Sequence, residues 1–65
     1  MRILVNGAWR ETAAADLESA LREMGWSESP VATALNGEFV AVAARRGAPL
    51  ADGDRLEVLA PMQGG

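Results

Sequence analysis

Met1-Arg2-Ile3-Leu4-Val5-Asn6-Gly7-Ala8-Trp9-Arg10-Glu11-Thr12 opens the chain, and its pattern decides what kind of fold follows. Met1, Ile3 and Val5 alternate with Arg2, Leu4 and Asn6, the period of two expected of a strand with one buried face. Asn6-Gly7 then signals a tight hairpin, because both residue types tolerate the positive φ that such a turn requires. Ala8 to Thr12 is therefore the returning strand. Trp9 is a lone aromatic without the cluster a ligand site would need, and it reads as packing on the sheet.

Beyond the hairpin, residues 13–15 form a short connection and Asp16 is placed to cap a helix. Leu17, Ala20, Leu21 and Met24 follow at i, i+3, i+4 and i+7, which is one apolar stripe of an amphipathic helix. Glu18, Ser19, Arg22 and Glu23 fall on its outer face. Glu18 and Arg22 are four apart in the favourable order for a surface pair, worth about 0.2–0.5 kcal/mol. Gly25 ends the helix in a left-handed conformation, and Trp26 folds back on the last turn.

Ser27-Glu28-Ser29-Pro30 is a polar loop, and Val31-Ala32-Thr33-Ala34-Leu35 reads as a strand near the centre of the sheet. Asn36-Gly37 makes a second turn before a short strand at Phe39-Val40. Residues 41–49 show no clean period and read as a loop, with Arg45 and Arg46 as solvated charges. Leu50 plugs the core. Asp52-Gly53-Asp54 is turn chemistry rather than a carboxylate pair, and Arg55-Leu56-Glu57-Val58-Leu59 alternates as a last strand. The expected fold is α+β, a mixed sheet of four to five strands with one helix on one face. Residues 1–59 form the domain and residues 60–65 an extended tail.

A chain of 65 residues has one thin core and little room for an enclosed catalytic pocket, so it is not expected to be an enzyme. It contains no cysteine and no histidine, and all six basic residues are arginine. A disulfide framework, a thiolate metal site, a thiol nucleophile, a histidine base and a Schiff-base lysine are thereby excluded. The net charge of −3 argues against nucleic acid, whose binders carry a basic face. Neither a secretory leader nor an apolar run of about 18 residues is visible. The expectation is a cytoplasmic protein that does not enter membranes and is monomeric when free.

The tail reads Ala60-Pro61-Met62-Gln63-Gly64-Gly65. Two glycines without side chains fit a channel too narrow for other residues. Read alone, they equally describe a flexible end. Six extended residues reach about 20 Å at ~3.3–3.6 Å each. Pro61 either stiffens the base of this arm or stops the strand, and Met62 either adapts to an apolar groove or folds back on the body. If Ile3, Val5, Leu56 and Val58 face the helix, Leu4 and Leu59 point the other way. They would form a small docking patch beside the tail unless the 41–49 loop covers one of them.

The strand ending in Asn6-Gly7, the Leu17/Leu21 helix with Gly25, Leu35-Asn36-Gly37-Glu38-Phe39-Val40, Leu50-Ala51-Asp52-Gly53-Asp54 and the final Gly64-Gly65 together resemble the ThiS family of sulfur carriers. The resemblance covers the whole chain and implies a ubiquitin-like β-grasp fold and a role in thiamin biosynthesis. It implies that Gly65 is adenylated by a partner enzyme using ATP and magnesium, with no cofactor bound by the chain itself. Sulfur from a persulfide enzyme then yields a thiocarboxylate, which thiazole synthase consumes. Pro61, Met62, Gln63 and Gly64 would enter the partner with Gly65. Similar ubiquitin-like proteins meet their activating enzymes through the sheet face on which Leu4 and Leu59 are placed. Two positions depart from the family pattern: Ala41-Val42 stands where many relatives have Pro-Arg, and Arg45 where they often have an aromatic. Three alternatives remain open: another sulfur acceptor (molybdopterin, a tRNA base or a cysteine precursor), a protein modifier joined through Gly65, and a non-covalent interaction domain.

Overall fold

The computed structural model describes residues 1–26 and 29–60. The opening hairpin is present as β1 (Arg2–Val5) and β2 (Ala8–Glu11), antiparallel, with Val5 opposite Ala8 and Leu4 opposite Trp9. Asn6 at φ 50° and Gly7 at φ 85° supply the left-handed backbone that lets two strands turn in two residues. A second hairpin repeats the solution. β3 (Ala32–Leu35) and β4 (Glu38–Val40) are joined by Asn36 at φ 51° and Gly37 at φ 86°.

β5 (Arg55–Leu59) lies between the hairpins, parallel to β1 and antiparallel to β3, so the sheet order is β2-β1-β5-β3-β4. The sheet is thus mixed and five-stranded. Asp52 and Asp54 shape the turn into β5, as their spacing around Gly53 suggests. Asp52 Oδ1 accepts the Arg2 amide at 2.8 Å, and Asp54 Oδ2 accepts the Ala51 amide at 2.8 Å.

The one α-helix among the described residues, α1 (Leu17–Glu23), buries Leu17, Ala20 and Leu21 against Ile3, Val5, Leu56 and Val58, with Met24 and Trp26 packed at its end. Its stop is a Schellman motif. Trp26 N–H donates to the Leu21 carbonyl at 2.8 Å and Gly25 N–H to that of Arg22 at 3.1 Å, around Gly25 at φ 89°. Glu18 and Arg22 form the expected surface pair at 3.5 Å. Among the described residues no helix is long and apolar enough to cross a membrane.

Residues 41–49 correct the sequence reading. They contain a 3₁₀ helix, Val42–Gly47, and Arg45 is buried rather than solvated. Its Nε donates to Thr33 Oγ1 at 3.1 Å and its Nη2 to the Val31 carbonyl at 2.6 Å, while Thr33 Oγ1 donates to the Val40 carbonyl at 2.9 Å. No carboxylate lies within ion-pair distance of Arg45 among the described residues. The guanidinium is accommodated by neutral acceptors at the edge of the core, and its aliphatic stem fills space there. Bonds from Leu17 N–H to the Ala48 carbonyl and from Leu50 N–H to that of Ala15, each 2.9 Å, tie this segment to the start of the helix.

Asp16 caps α1 as expected. Its Oδ1 accepts the Ser19 amide at 2.8 Å, and this bond is the main reason its carboxyl ionises below the ordinary 3.8. Partial burial opposes the shift, whereas the Ser19 hydroxyl and the Arg22 and Arg46 charges reinforce it. A depressed native value means the unfolded chain takes up the proton first. The cap is therefore fully stabilising above the ordinary value and is lost as pH falls through the native one. In denaturation midpoints measured across acid pH, wild type should lose stability below about pH 4 more steeply than Asp16→Asn, which keeps the acceptor but cannot titrate.

Candidate functional site

Among the described residues, strand alternation and register leave one sheet face without a helix. Ile3, Val5, Leu56, Val58 and Thr33 are buried on the helix side, so their neighbours along each strand face away. The open face carries Arg2 and Leu4 on β1, Trp9 and Glu11 on β2, Arg55, Glu57 and Leu59 on β5, Ala32 and Ala34 on β3, and Phe39 on β4. The 41–49 segment reaches Thr33 and α1 on the helix side, so it does not cover this face.

The two ends of the open face differ. Where β5 begins, Leu4 lies beside Trp9 and Arg55, and the Arg2 guanidinium sits 4.7 Å from the centre of the Trp9 ring. That stacking is a cation–π contact. Where β5 ends, Leu59 is 65% exposed opposite Ala32, and Phe39 is 73% exposed opposite Ala34. Ala32 and Ala34 are too small to fill the space between Phe39 and Leu59. The result is a shallow apolar strip crossed by Glu57, at the end of the sheet from which the tail departs.

Of the docking pair expected from the sequence, Leu59 is exposed and Leu4 is half-buried. Both lie on the open face but not together. Leu4 is in register with Arg55, four residues before Leu59, or about 13 Å along the strand. The exposed apolar residue on the other side of β3 is Phe39, in the row of Ala34 and Glu57, two residues from the row of Leu59 and Ala32. Phe39 was recoverable: a two-residue Asn36-Gly37 turn fixes Ala34 opposite Phe39, and inward Thr33 and Leu35 then send Phe39 outward. The tail residues Pro61, Met62, Gln63, Gly64 and Gly65 lie outside the described residues.

A shallow depression lined by Met1, Glu11, Thr12, Ala13 and Glu23 sits at the opposite end of the sheet from the tail. There Glu23 accepts from the Thr12 hydroxyl and the Ala13 amide. Its carboxylate fastens the link between β2 and α1. Among the described residues no group of three or more acidic side chains is placed to hold a metal ion.

The family model for the ThiS family matches residues 3–65. The chain belongs to the ThiS family. Among solved structures it is similar to the crystal structure of a thiamine biosynthesis protein (ThiS) from Geobacter metallireducens, with 29% identity and a TM-score of 0.83 over 100% of both chains. It is also similar to the solution structure of a thiamine biosynthesis protein from Geobacter metallireducens, with 29% identity, a TM-score of 0.78, and coverage of 100% of this chain and 88% of that one. No curated protein matches. The ubiquitin-like β-grasp fold of this ThiS-family chain accounts for the arrangement above: one helix, one covered face, one open face.

Phe39 and Leu59 are too exposed to support the core. Phe39→Ala and Leu59→Ala should each shift stability by no more than about 0.5 kcal/mol. Leu56→Ala, which empties a fully buried site on the same strand as Leu59, should cost roughly 2–5 kcal/mol. Urea denaturation of the three variants checks the contrast.

Proposed function

We propose that this chain is a sulfur carrier of thiamin biosynthesis, not itself a catalyst, and that Gly65 carries the sulfur as a C-terminal thiocarboxylate. The observation that carries this reading is the family match, which runs through Gly64-Gly65 and so includes the reacting end. The composition agrees. With no cysteine, histidine or lysine, the body offers no thiol, imidazole or ε-amine to capture an activated carbonyl.

A carboxylate resists nucleophiles because its charge repels them and oxide is a poor leaving group. An adenylating partner overcomes this with ATP and magnesium. A Gly65 carboxylate oxygen bonds to the α-phosphorus and pyrophosphate leaves. The terminal sulfur of a partner's persulfide then adds to the acyl carbon, and AMP departs with the electron pair of the bond that breaks. The resulting acyl disulfide is cleaved by a thiol, which takes the other sulfur into a disulfide and frees the thiocarboxylate. Thiazole synthase is the proposed acceptor. Gly64 and Gly65 pass through the narrow part of each partner, and Pro61, Met62 and Gln63 span the approach.

Docking falls to the apolar strip of Leu59, Ala32, Ala34 and Phe39. It sits at the root of the tail, where a partner that swallows the arm must press against the body. Exposed aromatic anchors near the centre of an interface commonly carry more than about 1 kcal/mol of binding. Phe39→Ala should therefore weaken binding of the adenylating enzyme by about fivefold or more in a titration, with the fold intact.

Intact-mass analysis after incubation with ATP, magnesium, the adenylating enzyme and a sulfur donor tests the chemistry. The expected product gains the mass of one oxygen exchanged for sulfur, localised to Gly65. Deleting Gly65 should abolish it and leave thermal unfolding unchanged. Absence of this species, under conditions where another ThiS-family carrier reacts, would sink the reading. Complementation of a thiazole auxotroph separates thiamin from other acceptors.

A further inference from the structure

We propose that Asn6 is a positioning residue for the tail: its side-chain amide takes the place of the strand β1 would have provided, and so fixes β5 where the tail begins. This rests on the carrier reading above.

A parallel ladder alternates donors and acceptors along each strand. Leu4 N–H donates to the Asp54 carbonyl and Asn6 N–H to the Leu56 carbonyl, each at 2.9 Å. Had β1 continued, the backbone carbonyl of residue 6 would accept the Val58 amide, and the amide of residue 8 would donate to the Val58 carbonyl. The chain instead turns at Asn6-Gly7 and becomes β2. Both groups of Val58 are met by one side chain. Val58 N–H donates to Asn6 Oδ1 at 2.8 Å, and Asn6 Nδ2 donates to the Val58 carbonyl at 3.1 Å. A primary amide reproduces the donor and acceptor of two backbone rungs.

The location gives the bond its consequence. Val58 is two residues before Ala60, and on the other side of β5 the final rung pairs Leu59 with Ala32. The strand is thus held on both sides up to the residue before the tail. Asn36 provides a matched comparison within the same molecule. It occupies the same turn position at φ 51° and also ties β5, but at the start of the strand. Arg55 N–H donates to Asn36 Oδ1 at 2.9 Å, and Asn36 Nδ2 donates to Asp54 Oδ1 at 3.1 Å. The two asparagines share a turn position and a positive φ, but Asn6 meets both backbone groups of Val58 near the tail, whereas Asn36 meets one backbone N–H and the Asp54 carboxylate at the far end of β5.

Asn6→Gly and Asn36→Gly each preserve the positive φ and remove only the side-chain bonds. Two readouts separate positioning from general support: amide exchange of Val58, and the KM of the carrier in magnesium- and ATP-dependent pyrophosphate release by the adenylating enzyme. Asn6→Gly should expose the Val58 amide and raise KM by about tenfold, the scale set by re-ordering one residue's backbone, with kcat within about twofold. Asn36→Gly should leave Val58 protected and KM within about twofold of wild type. Asn6→Asp, which keeps the acceptor but not the donor, should fall between and carries the test if the glycine variant does not fold. Equal KM for the Asn6→Gly and Asn36→Gly proteins, or a Val58 amide still protected without Asn6, overturns the proposal while the carrier reading stands. Absence of pyrophosphate release from wild type removes both.

Discussion

Everything in this fold depends on the pairing of β5 with two hairpins that otherwise do not share a strand contact. β1–β2 and β3–β4 are each closed by an Asn-Gly turn, and an isolated two-stranded hairpin is marginal in water. They become one sheet only when β5 joins β1 on one side and β3 on the other. The joining strand is the last to be made in sequence and is separated from β1 by about 50 residues, so the fold closes through long-range pairing. This explains why both asparagines direct side-chain bonds into β5. Each hairpin turns too early to line the whole of its neighbour, and an amide side chain completes the ladder at each place.

The same arrangement decides which face of the sheet is covered. One seven-residue helix and one 3₁₀ helix cover the inward residues of the three inner strands, β1, β5 and β3, and leave all of β2 exposed, and a chain of this length has no second layer for the outward ones. An uncovered sheet face follows from size. Its composition does not. Paired opposite small alanines, Phe39 and Leu59 stand clear of their neighbours, whereas at the far end the Arg2 guanidinium stacks on Trp9, which is still 52% exposed. Among the described residues, the uncovered face thus carries Phe39 and Leu59 without a cation at the tail end and an arginine stacked on Trp9 at the other.

The outline of the fold was legible in the sequence because each element carried its own local signal: alternation in β1 and β5, the Leu17–Leu21 stripe, the Asp16 cap, the Gly25 stop and two Asn-Gly turns. What local pattern did not reveal were interactions between distant segments. Arg45 reads as a solvated loop charge because nothing near it in sequence shows that Thr33 and Val31 will offer it acceptors. Asn6 reads as a turn former, which it is, while its bonds to Val58 cross about 50 residues and depend on where the parallel ladder is cut short. Leu4 and Leu59 were correctly sent to one face by alternation, but adjacency on that face is set by register, and the β1–β5 register is parallel and offset by four residues. Phe39 differs from these cases, since the turn that fixes its register is only two residues long.

A carrier whose reactive atom is the backbone carboxyl at the end of its own chain faces opposing requirements. The tail must be thin and free enough to be drawn into more than one partner, and its point of departure must be constant if those partners are to find the carboxyl from the position of the body. Glycines at the end meet the first requirement and in doing so give up any means of holding direction, since they have no side chains to pack. Direction then has to come from the strand before them. An edge strand would leave one side of that strand unpaired, free to bend or to join another sheet. A central strand is held on both sides, and here the hold is extended past the end of β1 by the amide of Asn6 and opposed by Ala32. On the proposed carrier reading, placing the tail-bearing strand at the centre of the sheet serves the fold and the delivery of Gly65 by the same hydrogen bonds.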